Sequence, residues 1–424
     1  MSLRRLFILL SILAFILSCE RQTFRRNEIV ENCGIMSIDE AQKEVELILS
    51  SLSIAKSTTS AGIRTISSRW ATNLETKSEG NDAKNIYVFN FSNGQGFAIV
   101  SSLKSIGLLT LSLDGTLDEN SQLDNPGAVA MLSMIEEKVK MATRDSSFDV
   151  NLVYGEWQAQ VKEHQNGPCP VTWHQEYPFN EYCKTSSGED SYCGCNAVAI
   201  AQLMSIYRQP TSYNGYSLDW QNMIYDSSYI DVSGNIMPAK LMQFLGLPTN
   251  LNVTYTTSAG ESLPANIPRT FENFGYSSGG TYNSAYNANQ IISDLYTLHP
   301  AIIGGSEFRY TTIHTIFGIP ISTEVTYSSG HAWLVDGMIV LSRNVDEFDY
   351  EWNYIGSFTE YQHYFRCKFG WNGGIFDGYY LAESNIFDLL SGPTYYSNYT
   401  ETKTTEGSNL VFRYNLHSIT GIRL

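Results

Sequence analysis

The residues best suited to chemistry stand in Tyr192-Cys193-Gly194-Cys195-Asn196-Ala197-Val198-Ala199-Ile200-Ala201-Gln202. After Cys195 the run is alanine-rich and apolar almost all round, which predicts a helix buried in a core. Cys195 falls in its first turn. A thiol there meets the positive end of the helix dipole and backbone N–H groups, which favour thiolate. The same N–H groups can stabilise an oxyanion during acyl transfer. Gly194 leaves the approach to the sulfur unhindered. Taken alone, the segment also fits an inert buried cysteine, a disulfide partner or a Cys-x-Cys metal site. No metal is expected, because Cys193 and Cys195 have no second paired cluster.

A nucleophilic thiol needs a base. Of the seven histidines, most occur in polar surroundings, where a surface role is the plain reading. His331 differs. It lies in Ser329-Gly330-His331-Ala332-Trp333-Leu334-Val335-Asp336-Gly337, where it is expected to begin an apolar strand and face a cleft, with Asp336-Gly337 turning the chain. It follows Cys195 by 136 residues, within the roughly 130 to 150 seen between Cys and His in papain-like enzymes. A third stretch, Phe369-Gly370-Trp371-Asn372-Gly373-Gly374-Ile375-Phe376-Asp377-Gly378-Tyr379-Tyr380, reads as a glycine-rich loop beside an aromatic wall, or as a turn with Trp371 in the core.

These residues need elements to hold them. Ser37-Ile38-Asp39-Glu40 has capping-box spacing, and apolar residues at helical spacing predict a helix from about 38 to 52. Runs at 86–91 and 96–100 around Ser-Asn-Gly-Gln predict a hairpin, 107–113 a further strand, and Pro126 opens a second helix to about Arg144. This is a small α+β unit. From about Asp145 the chain is richer in Trp, Tyr and Gly. Residues 207–289 read mostly as loop, and 300–304, 330–337 and 365–369 as strands with no regular helix after them. An α+β arrangement is expected, not a doubly wound sheet.

The 424 residues carry 27 basic and 43 acidic side chains, a formal charge of −16. That balance argues against nucleic acid as a partner. Arg4 and Arg5 precede an apolar run from Leu6 to Leu17, which reads as an export signal. Ile16-Leu17-Ser18-Cys19 resembles the lipobox of bacterial lipoproteins, with Cys19 the lipidated residue. The expected divisions are a signal at 1–18, a polar tether at 19–34, an N-terminal unit at 35–150 and a main domain at 151–424. The chain is expected at a bacterial outer membrane or cell surface, held by its N-terminal lipid or released after processing.

Together, the Gly-Cys-x-Ala-x-Ala-x-Ala-Gln helix from Gly194, the Gly330-His331-Ala332 strand ending in Asp336-Gly337, the Gly370-Trp371-Asn372-Gly373 loop and Trp173-His174-Gln175-Glu176-Tyr177-Pro178-Phe179-Asn180 resemble the streptopain-like cysteine peptidases, a papain-fold family of secreted bacterial enzymes. The likeness spans about residues 170 to 385. It implies an α+β papain-like peptidase domain acting on protein or peptide substrates without a cofactor. Cys195 would be the nucleophile, His331 the general base and then acid, Gln175 an oxyanion donor with the Cys195 N–H, and Trp371 a shield for the histidine. The segment 85–116 is similar to the family's inhibitory propeptide, which implies a zymogen. Lys138, Lys140 and Arg144 are candidate cuts for self-processing or an activating protease. The family places an Asn-Trp pair ahead of Gly-Trp to hold the histidine; this chain has Lys368 and Phe369. Asp336 or Asn372 is then a candidate orienting group, and Cys169, Cys183, Cys193 and Cys367 are candidates for disulfides around the site. The rival readings are an impaired relative that binds polypeptide, a glycan-binding surface lipoprotein built on the 27 Tyr and 7 Trp, and a cell-wall amidase with the same Cys–His chemistry.

Overall fold

In helix α1 (Ile38–Ala55) the anticipated capping box is formed: Ser37 N donates to Glu40 Oε2 at 2.7 Å and Glu40 N to Ser37 Oγ at 3.2 Å. The computed structural model describes residues 35–55, 64–72, 86–117, 151–316, 319–372, 377–382, 396–397 and 414–424. The export signal, Cys19, the helix expected from Pro126 and the cuts at Lys138, Lys140 and Arg144 lie outside these residues.

Ala41, Val45, Ile48, Leu49 and Leu52 of α1 are buried. They pack on antiparallel strands β1 (Ile66–Thr72), β2 (Ile86–Phe91), β3 (Phe97–Ser101) and β4 (Leu108–Ser112). β2 and β3 form the anticipated hairpin, with Asn93 and Gly94 at positive φ in the turn. The same core takes in Trp157, Ile339, Leu341, Tyr364 and Tyr379 from later in the chain. The N-terminal unit therefore shares its interior with the main domain.

The main domain begins with β5 (Asn151–Tyr154) and β6 (Gln158–Glu163). Its helices are α2 (Cys195–Tyr207), α3 (Trp220–Tyr225), α4 (Met237–Leu245), α5 (Ile267–Asn273) and α6 (Ala288–Tyr296). α3 to α5 correct the expectation of loop over 207–289. They are short, and α4 carries the signal that was passed over: Pro238 in the first turn, then buried Leu241, Met242 and Leu245. The strands are β7 (Ser278–Asn283), β8 (Ala301–Ile316), β9 (Ile319–Phe348), β10 (Tyr354–Lys368), β11 (Gly378–Leu381) and β12 (Tyr414–Arg423). Among the described residues, no helix is long and apolar enough to cross a membrane.

One sheet runs through both units in the order β1-β2-β3-β4-β11-β10-β9-β8-β12-β7, with β5 and β6 also on β9. The junction is β4 against β11, where Ser112 faces Gly378, Leu111 faces Tyr379 and Thr110 faces Tyr380. Along β9 the side chains alternate as the pleat requires. Ala332 and Leu334 enter the core that holds α2, α4 and α5; Trp333 and Val335 enter the opposite core, with α6. His331 lies inside this long strand and does not begin it. Asp336-Gly337 is a register shift within β9 and not a turn, which corrects the second expectation. A buried charge cluster pins this irregularity. Arg366 Nε donates to Asp336 Oδ1 at 2.6 Å and Arg366 Nη1 to Glu163 Oε2 at 2.9 Å. Asp336 Oδ2 accepts from Cys169 N at 2.6 Å.

At the shared core, Arg343 donates to the Lys104 carbonyl at 2.7 Å and to Glu360 Oε2 at 2.7 Å, stacked between Tyr154 and Trp157. Glu44 accepts from Leu108 N at 3.0 Å. Burial pushes its carboxyl up to about 7. Because the folded state then holds this proton more tightly than the unfolded chain, the stabilisation is complete below about pH 4.5 and is lost as pH rises through 7. Glu44→Gln should remove that slope, gaining up to about 3 kcal/mol relative to the parent between pH 4.5 and 7.5. Thermal midpoints of both chains across that range check it.

Candidate active site

Gly194 precedes α2 at φ 94°, and a Cβ there would lie 2.6 Å from the Gly260 carbonyl oxygen. Only glycine allows this entry. It sets Cys195 in the first turn of a helix whose next eleven residues, Asn196 to Ile206, are buried. The backbone N–H groups of Cys195, Asn196 and Ala332 each favour the thiolate. Ala332 follows His331 in β9, so the helix start and the strand meet at the sulfur. The helix-end donors are present as anticipated, yet the thiol pKa is raised, because burial outweighs them. That corrects the expectation of a depressed thiol for the full-length chain.

His331 is buried and faces the same cleft. Its Nε2 donates to the Phe369 carbonyl at 2.7 Å. A carbonyl only accepts, so Nε2 carries the proton and Nδ1 bears the lone pair in the neutral ring. Burial pulls the imidazole down to about 4, against the Phe369 carbonyl, which favours its charged form. Thiol and imidazole are thus both held toward neutrality. The ring is stacked on Trp371, with centroids 4.7 Å apart at 21°, and Trp371 lies on Phe369 at 5.1 Å and 9°. Gly370 allows this close stack: its φ is +68°, and a Cβ would meet Val198 of α2 at 2.6 Å.

The candidate orienting side chains are placed elsewhere. Asp336 is engaged by Arg366 and Cys169 N, and Asn372 is exposed. The main-chain carbonyl of Phe369 takes the place expected for a carboxamide, which no side-chain motif could have revealed. Lys368 instead pairs with Asp377 at 2.6 Å. Gln175 lines the cleft beside Cys195, and its carbonyl accepts from Cys193 N at 3.1 Å. Cys169, Cys183, Cys193 and Cys367 are free buried thiols, so the disulfide expectation is not met. Burial pushes Cys169 and Cys183 up to about 11, which makes them poor nucleophiles. Among the described residues there is no cluster suited to a metal ion.

The cleft encloses about 920 Å³. One wall is Gln175, Cys195, Asn196 and residues 258–264; the other is Gly305, Ser306, His331 and His417. His417, which the sequence reading did not select, faces Gly304 across the β8–β12 pairing. No described residue of the N-terminal unit lines the cleft.

The sequence matches the Peptidase C10 family over residues 173–380 and the Spi protease inhibitor over residues 33–139. No curated protein matches it. Solved structures similar to it include two from one organism. One is a cysteine-to-alanine mutant of a Prevotella intermedia prointerpain A fragment, at 18% identity and a TM-score of 0.47, covering 84% of this chain and 99% of its own. The other is active wild-type interpain A cysteine protease from the same organism, at 18% identity and 0.35, covering 61% and 94%.

Gly194→Ala should displace the start of α2, because the added methyl meets backbone and the φ is strained by about 1–3 kcal/mol. We expect a thermal midpoint several degrees lower and at least about a tenfold loss of peptidase activity, read on the same preparation.

Proposed function

We propose that this chain, which carries a C10-family peptidase domain behind a Spi-type inhibitor domain and so is a cysteine protease zymogen, cuts peptide bonds with Cys195 as nucleophile and His331 as its base. The observation that carries the assignment is the His331 Nε2 bond to the Phe369 carbonyl, on a ring that shares a cleft with Cys195. That bond leaves Nδ1 as the basic nitrogen.

In the reading that follows, Nδ1 takes the thiol proton as Sγ adds to the substrate carbonyl carbon. The oxyanion is stabilised by the Cys195 N–H and the Gln175 side chain. The imidazolium then gives its proton to the leaving amine as the C–N bond breaks, leaving a thioester. Water adds to the thioester with His331 again taking a proton, and the acid product and the thiol are released. Trp371 keeps bulk water off the imidazole. Lys368 is accounted for by its pairing with Asp377, and with an acceptor present on His331 the active reading is favoured over an impaired relative.

We place the mature protein outside the cytosol, anchored through a lipid on Cys19 at the outer membrane or cell surface. The support is the charged and apolar N-terminus ending in Ile16-Leu17-Ser18-Cys19. Activation is removal of the inhibitor domain by a cut in the Lys138 to Arg144 region, made by the enzyme itself or by an outside protease.

Casein hydrolysis by the processed enzyme should fall by at least about 10⁴-fold in Cys195→Ala and His331→Ala, and kcat by about 10²-fold in Gln175→Ala. Undiminished hydrolysis by Cys195→Ala would refute the assignment. In a bacterial host, Cys19→Ala should move the protein from the membrane fraction to the soluble one; unchanged partition would refute the anchor.

A further inference from the structure

The Phe369 carbonyl can hold His331 only if the main chain on either side of it is held. Three contacts do this. Phe369 N donates to Asp377 Oδ1 at 2.9 Å. Asp377 Oδ2 pairs with Lys368 Nζ at 2.6 Å. Gly370, at φ +68°, packs so close to Val198 of α2 that a Cβ there would lie 2.6 Å from its side chain. Phe369 is therefore gripped at its N–H by Asp377, while its carbonyl accepts from the imidazole. We propose that Asp377 is a positioning residue for His331, acting through the Phe369 main chain, and that Lys368 is the partner that fixes its carboxylate in the domain interior. This rests on the assignment of Cys195 and His331 above.

The chemistry of the pair supports this role. The side chains of Lys368 and Asp377 are only 13% and 10% exposed. Burial works against both charges: it pushes the Asp377 carboxyl above its usual value although Lys368 opposes it, while Asp377 holds the Lys368 ammonium above its own. A buried ion pair seldom adds stability over an apolar replacement of similar volume. This one does something an apolar pair cannot: its carboxylate supplies a charge-assisted acceptor for a peptide N–H. The other carboxylate acting on Asp377, Asp336, is itself paired with Arg366. Asp377 also stands where the inhibitor domain's sheet joins that of the peptidase domain. Its carbonyl accepts from Leu113 N at 3.3 Å, and the next residue opens β11, which pairs with β4.

The test compares wild type with Asp377→Ala, the double variant Asp377→Asn/Lys368→Met, and Lys368→Asn. Each is the full chain, incubated under reducing conditions until intact mass shows processing complete, with trypsin added where it is not. The readouts are kcat and KM on a peptide substrate across pH, and the thermal midpoint. The carbonyl favours the imidazolium, so loosening it should move the alkaline limb of the kcat/KM profile down by about one pH unit in Asp377→Ala. kcat should fall about 30-fold with KM within about twofold. The double variant keeps the acceptor oxygen and removes both charges, and should restore the wild-type profile. Lys368→Asn should bring no gain.

An unshifted profile in folded Asp377→Ala overturns the proposal, as does a double variant shifted as far as Asp377→Ala. So does a tenfold gain in Lys368→Asn, which would mean that the orienting group was missing; this arm decides even if Asp377→Ala does not fold. If wild type and Cys195→Ala are equally inert after trimming, the underlying Cys–His assignment has failed instead.

Discussion

An imidazole that takes and returns a proton in one orientation needs an acceptor on the ring nitrogen turned away from the thiol. In this protein the acceptor is the Phe369 carbonyl, 2.7 Å from His331 Nε2. A backbone carbonyl cannot rotate independently as a side chain does, so its aim is set by everything that shapes the loop. Gly370 supplies the conformation, Val198 on the cysteine-bearing helix supplies the wall, and Trp371 closes over the ring. Asp377 and Lys368 lie beneath. The loop thereby links helix α2 to strand β9, the two elements that carry Cys195 and His331.

Much of this was legible in the sequence. The apolar run after Cys195 gave a buried helix, and the capping box at Ser37 gave α1 its start. The grouping of Cys195, His331, Gln175 and Trp371 around one region followed from ordered motifs, and the structure does bring them together. What was hidden has a common physical cause. The orienting acceptor is main chain, which has no residue type to read. Asp336-Gly337 looked like a turn by composition, but pairing with Arg366 and Cys169 N holds it in a strand irregularity. The thiol's environment was judged from the helix end alone, whereas burial in the full-length chain sets the direction. Short helices such as α3 and α5 form because tertiary packing buries Trp220 and Phe271, not because of strong local periodicity.

The inhibitor domain is not a separate body resting on the enzyme. Its sheet is continuous with the peptidase sheet through β4 and β11, and its core contains Trp157, Ile339, Leu341, Tyr364 and Tyr379 of the peptidase. Tyr364 donates to the Leu108 carbonyl at 2.8 Å, and Arg343 to that of Lys104. Docking therefore ends a few residues from the loop that holds His331, and release of the domain must expose apolar surface along β9 to β11. Burial holds both the Cys195 thiol and the His331 imidazole toward their neutral forms in the full-length chain.

The most direct measurement is intact mass against time for the full chain under reducing conditions, beside its Cys195→Ala form. If Cys195 is the working nucleophile of a zymogen, the wild type sheds a fragment bearing the inhibitor domain while Cys195→Ala stays whole. Identical time courses for the two chains, followed by equal inertness toward casein once trypsin has trimmed both, would contradict the account.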